Sequence, residues 1–348
     1  MATDDAKAAA RVESDGTIQV PSFSLPISAA LSASTARAQA QALAAALPID
    51  ISAIDKIDVP DAYRAAVDAF RAGLDEMFAR PLSEKLLAEF PVEMRDVVLA
   101  GVRGEAFIPA NCDPDRILLN LHGGGFCSGY GYVSRIEAIP MAHLTGMKVV
   151  SIDYRQGYEH KYPAATDDVV AVYRELLQHH APENIVIYGG SAGGILALQA
   201  AYRIVADGLP APAAIGVFGA GGFSHGDSDY FAAIGAATAP PVAPIPGVLN
   251  TKLGYFSTAR ADDPFVDPTL GDPALLAKFP PSMILTATRA FDMSPAIAAH
   301  RALIRAGADS SLHVFDGLGH CFYYDASAPE PSEAYQAIVR FFKRRLRA

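Results

Sequence analysis

From about residue 92 onward, short apolar runs alternate with longer stretches in which apolar residues recur every three or four positions. The runs at 116–121, 148–152, 184–188, 213–218, 282–288 and 311–315 are compact and mostly aliphatic, as strands buried on both faces are. Helical spacing marks 136–144, 167–179, 195–204, 296–306 and 333–346, with Gly208 and Gly307 as stop signals after the third and fourth. The stretch 96–109 holds two shorter strand-like runs separated by Gly101 and Gly104, readable as a hairpin. Strands alternating with helices imply an α/β fold with a mostly parallel central sheet flanked by helices on both faces.

Residues 1–90 differ in character. The segment 32–47 is Ala-rich with helical spacing, and 61–78 places Tyr63, Val67, Phe70, Leu74 and Met77 at helical intervals. Pro60 reads as the start of that second helix and Pro81 as its stop, and no strand is expected before residue 90. This region is expected to form a small helical piece packed on the larger domain of residues 91–348. The stretch 219–246, rich in Gly, Ala and Pro, follows a strand at the sheet end where α/β proteins place their sites. It reads equally as pocket lining and as a surface loop.

The composition narrows the classes. With 348 residues, 51% hydrophobic and 19% charged, the chain buries a substantial core. Its formal net charge of -10 argues against nucleic acid, which demands a basic surface. No apolar run is long enough for a membrane span, and the amino terminus is acidic where a secretion signal is basic, so a cytoplasmic location is expected. Cys112, Cys127 and Cys321 make an odd set without metal-ligand spacing, and His179 and His180 read as a solvated helix end. Neither metal nor cofactor is expected.

The candidate chemistry centres on Gly189-Gly190-Ser191-Ala192-Gly193, a G-x-S-x-G between a strand and a helix. A serine on so sharp a turn needs neighbours without side chains, and the helix N-terminus puts backbone N–H groups beside any oxyanion formed there. His122-Gly123-Gly124-Gly125 follows directly on the 116–121 strand, and its glycines free the backbone to turn N–H groups inward. The base candidate for Ser191 is His320, on a loop after the last strand; His313, within that strand, is the weaker choice. The acid candidate is Asp292, which gives the order Ser…Asp…His, with Asp316 as its rival on the histidine's own loop.

Together with Asp153-Tyr154-Arg155, Glu159-His160-Lys161-Tyr162-Pro163 and Asp263-Pro264-Phe265-Val266-Asp267-Pro268, these motifs resemble the hormone-sensitive-lipase-like branch of the α/β-hydrolases. The resemblance runs from about residue 92 to the end. It implies Ser191 as nucleophile, His320 as base, Asp292 as acid, and an oxyanion hole from the N–H groups of Gly124, Gly125 and Ala192. It further implies an N-terminal helical cap, a small to medium carboxylic ester as substrate, and a supporting role for Glu159 and His160. Homodimers are common in such families, but no interface is legible here.

Three positions depart from that family's pattern. Gly190 stands where an acidic residue is usual, Met293-Ser294-Pro295 follows the acid, and Gly219-Ala220-Gly221-Gly222 replaces an aromatic-proline signal. These put the substrate range in question. They also keep lactone or amide hydrolysis open, with a weakly catalytic scaffold or a ligand-binding receptor as the reading from another class. The presence of His320 argues against the receptor.

Overall fold

A computed structural model of the chain describes residues 11–15, 18–19, 26–45, 54, 57–223 and 252–346. Strands β1 (Arg11–Val12) and β2 (Ile18–Gln19) pair antiparallel in a two-residue ribbon. That corrects the expectation of no strand before residue 90: two residues per strand are too few to leave a pattern.

Among the described residues the main sheet has eight strands. They are β3 (Glu93–Leu99), β4 (Val102–Ile108), β5 (Asp113–Leu121), β6 (Met147–Ile152), β7 (Ile185–Gly190), β8 (Ala214–Phe218), β9 (Ser282–Ala287) and β10 (Ser310–Phe315). Their spatial order is β10-β9-β8-β7-β5-β6-β4-β3. The pairs from β10 through β6 are parallel, while β4 runs antiparallel to both β6 and β3. The β3–β4 hairpin turns at Ala100 and Gly101, both with positive φ.

The aliphatic runs alternate faces as the pleat requires. Ile117, Leu119, Ile185, Ile187, Ile215 and Val217 join one core with the helices Ala164–Leu176, Ala192–Ala206 and Met293–Ala306. Leu118, Val186, Tyr188, Ala214 and Phe218 join a second core on the opposite face, with the helices Tyr132–Thr145 and Pro329–Arg345. No helix among the described residues is long and apolar enough to cross a membrane.

Among the described residues the N-terminal helices are Ala33–Ala45 and Pro60–Leu74, the latter burying Tyr63, Val67 and Phe70 as its spacing predicts, whereas Met77 lies beyond its end and is exposed. Pro81 does not end the helical course. A π-turn at Asp75–Ala79 intervenes, with the Arg80 N–H bonded to the carbonyl of Asp75, and Pro81 falls in the first turn of the next helix, Arg80–Glu89. A proline lacks the N–H that a helix interior needs, but the first turn has no use for it. The stretch 219–246 lies outside the described residues from position 224 onward.

Candidate active site

β7 delivers the elbow. Ser191 sits at φ 53°, ψ −120°, immediately before the helix Ala192–Ala206, and its N–H bonds the Phe218 carbonyl at 2.8 Å. So strained a backbone at a non-glycine residue marks a held position. A Cβ on Gly189 or Gly193 would collide with the Leu121 carbonyl, so the close approach of strand and helix excludes any side chain there.

His320 Nε2 lies 2.9 Å from Ser191 Oγ, and His320 Nδ1 lies 2.6 Å from Asp292 Oδ1. Asp292 is 1% exposed, and its second oxygen accepts from the Thr286 hydroxyl at 2.6 Å, so both carboxylate oxygens are engaged. The imidazole rests on the Phe291 ring at a centroid distance of 4.2 Å. Burial opposes its charged form, but the Cys321 sulfur beside Nε2 and the Asp292 carboxylate at Nδ1 outweigh that and raise its pKa above 6.5. The rival acid Asp316 faces elsewhere, accepting from Ser28 Oγ at 2.6 Å and Thr288 Oγ1 at 3.1 Å.

After β5 the chain turns through Gly124 at φ 126° and Gly125 at φ 63°, conformations suited to glycine. The Gly124 carbonyl accepts from the N–H groups of Cys127 at 3.1 Å and Ser128 at 3.0 Å. Ala192 opens its helix, where backbone N–H groups have no intrahelical acceptor. His122 is fully buried and stacked on Tyr154 at 4.3 Å, and burial lowers its pKa to about 4. It is a structural imidazole, held neutral.

The flanking motifs support these loops. The Tyr154 hydroxyl donates to the His122 carbonyl at 2.7 Å, and Arg155 grips the carboxylate of Asp168. Glu159 pairs with both terminal nitrogens of Arg71, at 2.6 and 2.9 Å. A cavity of about 600 Å³ lies beside them, lined by Arg71, Cys127, Tyr130, Tyr154 and Glu159, with Ser191 outside its walls.

Two residues that the sequence reading missed bear on the site. Arg71 is one. The other is Glu137, 2% exposed on the helix Tyr132–Thr145, which accepts from Gly123 N, Gly190 N, Asn120 Nδ2 and the Tyr324 hydroxyl. Burial raises its pKa above the ordinary carboxylate value, while these donors pull the other way. A lone acid within the apolar run Ile136 to Met141 was the signal available. The acid usual at position 190 is absent, and the carboxyl of Glu137 lies against that glycine.

Residues 118–324 match the family described as the alpha/beta hydrolase fold, and the chain belongs to it. Its likeness to the hormone-sensitive-lipase-like branch is borne out by a crystal structure of an esterase from the bacterial hormone-sensitive lipase family. That structure has a TM-score of 0.68 and 26% identity, over 77% of this chain and 91% of that one. A crystal structure of an esterase E25 superposes with a TM-score of 0.80 and 27% identity, over 94% of this chain and 99% of that one. Among curated proteins, an esterase of Acinetobacter venetianus is 38% identical over 130 residues, 36% of this chain and 43% of its own. The carboxylesterase NlhH of Mycobacterium tuberculosis is 33% identical over 151 residues, 39% of this chain and 45% of its own. The chain thus spans less than half the length of these curated relatives.

Proposed function

We propose that this chain is a carboxylesterase acting on small to medium carboxylic esters, with residues 91–348 as catalytic domain and 1–90 as its helical cap. The observation that carries the reading is the hydrogen-bonded line from Ser191 Oγ through His320 to the buried Asp292, at 2.9 and 2.6 Å. His320 takes the Ser191 proton as Oγ attacks the ester carbonyl, and Asp292 holds the imidazole in the tautomer that allows it. The N–H groups of Gly124, Gly125 and Ala192 receive the oxyanion. The tetrahedral species collapses, His320 returns the proton to the departing alcohol, and an acyl-Ser191 remains. Water, deprotonated by His320, then cleaves the acyl-enzyme and frees the carboxylic acid.

Support for the cap comes from its contacts with the loops of the site. Ser28 bonds Asp316, the Gln39 amide donates to the Gly317 carbonyl at 2.7 Å, and Arg71 reaches the Cys127 carbonyl.

The test is hydrolysis of p-nitrophenyl esters from acetate to laurate, with Ser191→Ala alongside. The wild-type protein is expected to turn over the short and medium chains, and the variant to lose on the order of 10⁶ in kcat. Cleavage of lactones or amides without esters would replace the substrate class. An absent serine-phosphonate adduct would favour a binding role.

A further inference from the structure

We propose that Glu137 is a positioning residue for the ester hydrolysis proposed above, its carboxyl group holding the three loops of the chemistry in one register. Oε1 accepts from the Gly123 N–H at 3.0 Å and the Tyr324 hydroxyl at 2.9 Å. Oε2 accepts from Asn120 Nδ2 at 3.0 Å and the Gly190 N–H at 3.3 Å. The Asn120 amide faces this way because its oxygen already accepts from Ser151 Oγ at 2.6 Å.

These donors are placed tellingly. Gly123 directly precedes the oxyanion glycines Gly124 and Gly125, Gly190 directly precedes Ser191, and Tyr324 lies on the turn that follows His320. Fixing the Gly123 and Gly190 peptides fixes the direction in which the next residues leave them, hence where the oxyanion donors and the serine hydroxyl point. Displacement by about an ångström in such a constellation costs roughly 10²-fold in rate.

The two glycines also clear the room that the carboxyl occupies. A Cβ on Gly190 would lie 2.7 Å from Glu137 Oε1 and closer still to the Tyr323 hydroxyl. A Cβ on Gly123 would lie 2.7 Å from the Tyr324 hydroxyl and 3.2 Å from Glu137 Oε1. The acid stands on the neighbouring helix and needs an empty position 190 to reach the backbone.

The discriminating variant is Glu137→Gln, which keeps the shape. Whichever way its amide turns, the NH₂ group faces a backbone N–H that only donates, that of Gly123 or that of Gly190. Its kcat on p-nitrophenyl butyrate is expected to fall about 10- to 100-fold with KM within about threefold. The rate of Ser191 labelling by a fluorophosphonate should fall by the same factor. Glu137→Ala should be worse; in a Tyr323→Phe background, which takes away the hydroxyl that a Cβ at position 190 would strike, adding Gly190→Asp to it, with a carboxyl about 1.5 Å beyond that Cβ (roughly one C–C bond), should recover at least part of the lost kcat.

A folded Glu137→Gln protein with wild-type kcat and labelling rate would overturn the inference. If that variant does not fold by circular dichroism, the Ala/Asp pair in the Tyr323→Phe background decides: no recovery over Glu137→Ala/Tyr323→Phe overturns it equally. Failure of the carboxylesterase reading looks different, because then the wild-type protein itself cleaves no ester.

Discussion

The side chain of Arg71 spans from the helix Pro60–Leu74 to the glycine loop of the site, its Nε donating to the Cys127 carbonyl at 2.6 Å. The same guanidinium is clamped by Glu159 and lies over the Tyr158 ring at 5.2 Å, and the Tyr158 hydroxyl bonds Asp68 on that helix. One planar fork thus joins the helix Pro60–Leu74, the loop after β6 and the loop after β5. An N-terminal element thereby becomes part of the support for Gly124 and Gly125.

Arg71→Ala is expected to lower kcat/KM on short esters about tenfold, since the loop loses its anchor while the oxyanion donors remain. Arg71→Lys should recover little, because an ammonium cannot face Glu159 and the Cys127 carbonyl with a fork. Melting temperatures should change little, the ion pair being partly exposed. Steady-state kinetics beside thermal melts check both parts. A variant with wild-type kcat/KM would remove Arg71 from the support of the site.

The two acid candidates separate cleanly. Asp292→Asn leaves its place filled but turns the imidazole toward the wrong tautomer, and kcat is expected to fall on the order of 10⁴. Asp316→Asn, whose partners are Ser28 and Thr288, should leave kcat within about twofold of wild type, as surface changes away from such features do. Thr286→Val removes one of the bonds to a carboxylate that is 1% exposed, and is expected to cost about 1–3 kcal/mol in denaturant melts.

What was legible in the chain followed from local chemistry. The aliphatic runs marked β5 to β9 within a few residues, because strands covered on both faces are mostly apolar, and the half-buried edge strand β10 kept enough of the same pattern to show. That Ser191, His320 and Asp292 meet was legible because each follows a strand on a glycine-rich or short loop, where the sheet end collects them. Glu137 was not. Its partners lie 14, 17, 53 and 187 residues away, and an acid in an apolar helix carries no sign of what it will meet. Arg71 and Glu159, 88 residues apart, are the same case. Pro81 misled because the proline's effect depends on whether it falls in a first turn, which a π-turn upstream decided.

Gly124 and Gly125 are expected to respond unequally to the same substitution. A Cβ at position 124 would strike the Ser128 carbonyl and lie 2.9 Å from Ser128 Oγ, which with the Ser128 N–H closes the turn on the Gly124 carbonyl. At position 125 the nearest atom is Cys127 Sγ at 3.9 Å, leaving only the left-handed backbone cost of about 1–2 kcal/mol. Gly124→Ala should therefore lose about 10²–10³ in kcat, the worth of an oxyanion donor, and Gly125→Ala about tenfold or less. Equal losses would mean that the loop moves as one body and that the local collision is not what matters.

The pH dependence turns on Cys321, whose Sγ lies 3.4 Å from His320 Nε2 on the side where Ser191 is held. The base works only when neutral, so activity rises with pH through the histidine pKa, which its neighbours raise above 6.5. The acid limb of kcat/KM is accordingly expected above pH 6.5. Cys321→Ala removes one of the groups that raises it, and should move the limb downward while Asp292 keeps it from collapsing to the value of a buried, unpartnered imidazole. Stability runs the opposite way. A histidine whose pKa is raised by folding stabilises the protein fully below its unfolded value of about 6.5, and that contribution is lost as pH climbs through the folded value. Activity should thus rise across the same interval in which this part of the stability drains away, and in Cys321→Ala both transitions should move to lower pH together. Parallel pH series of ester hydrolysis and of thermal melts check this. An acid limb that stays in place in the variant would show that the thiol does not set the charge state of His320.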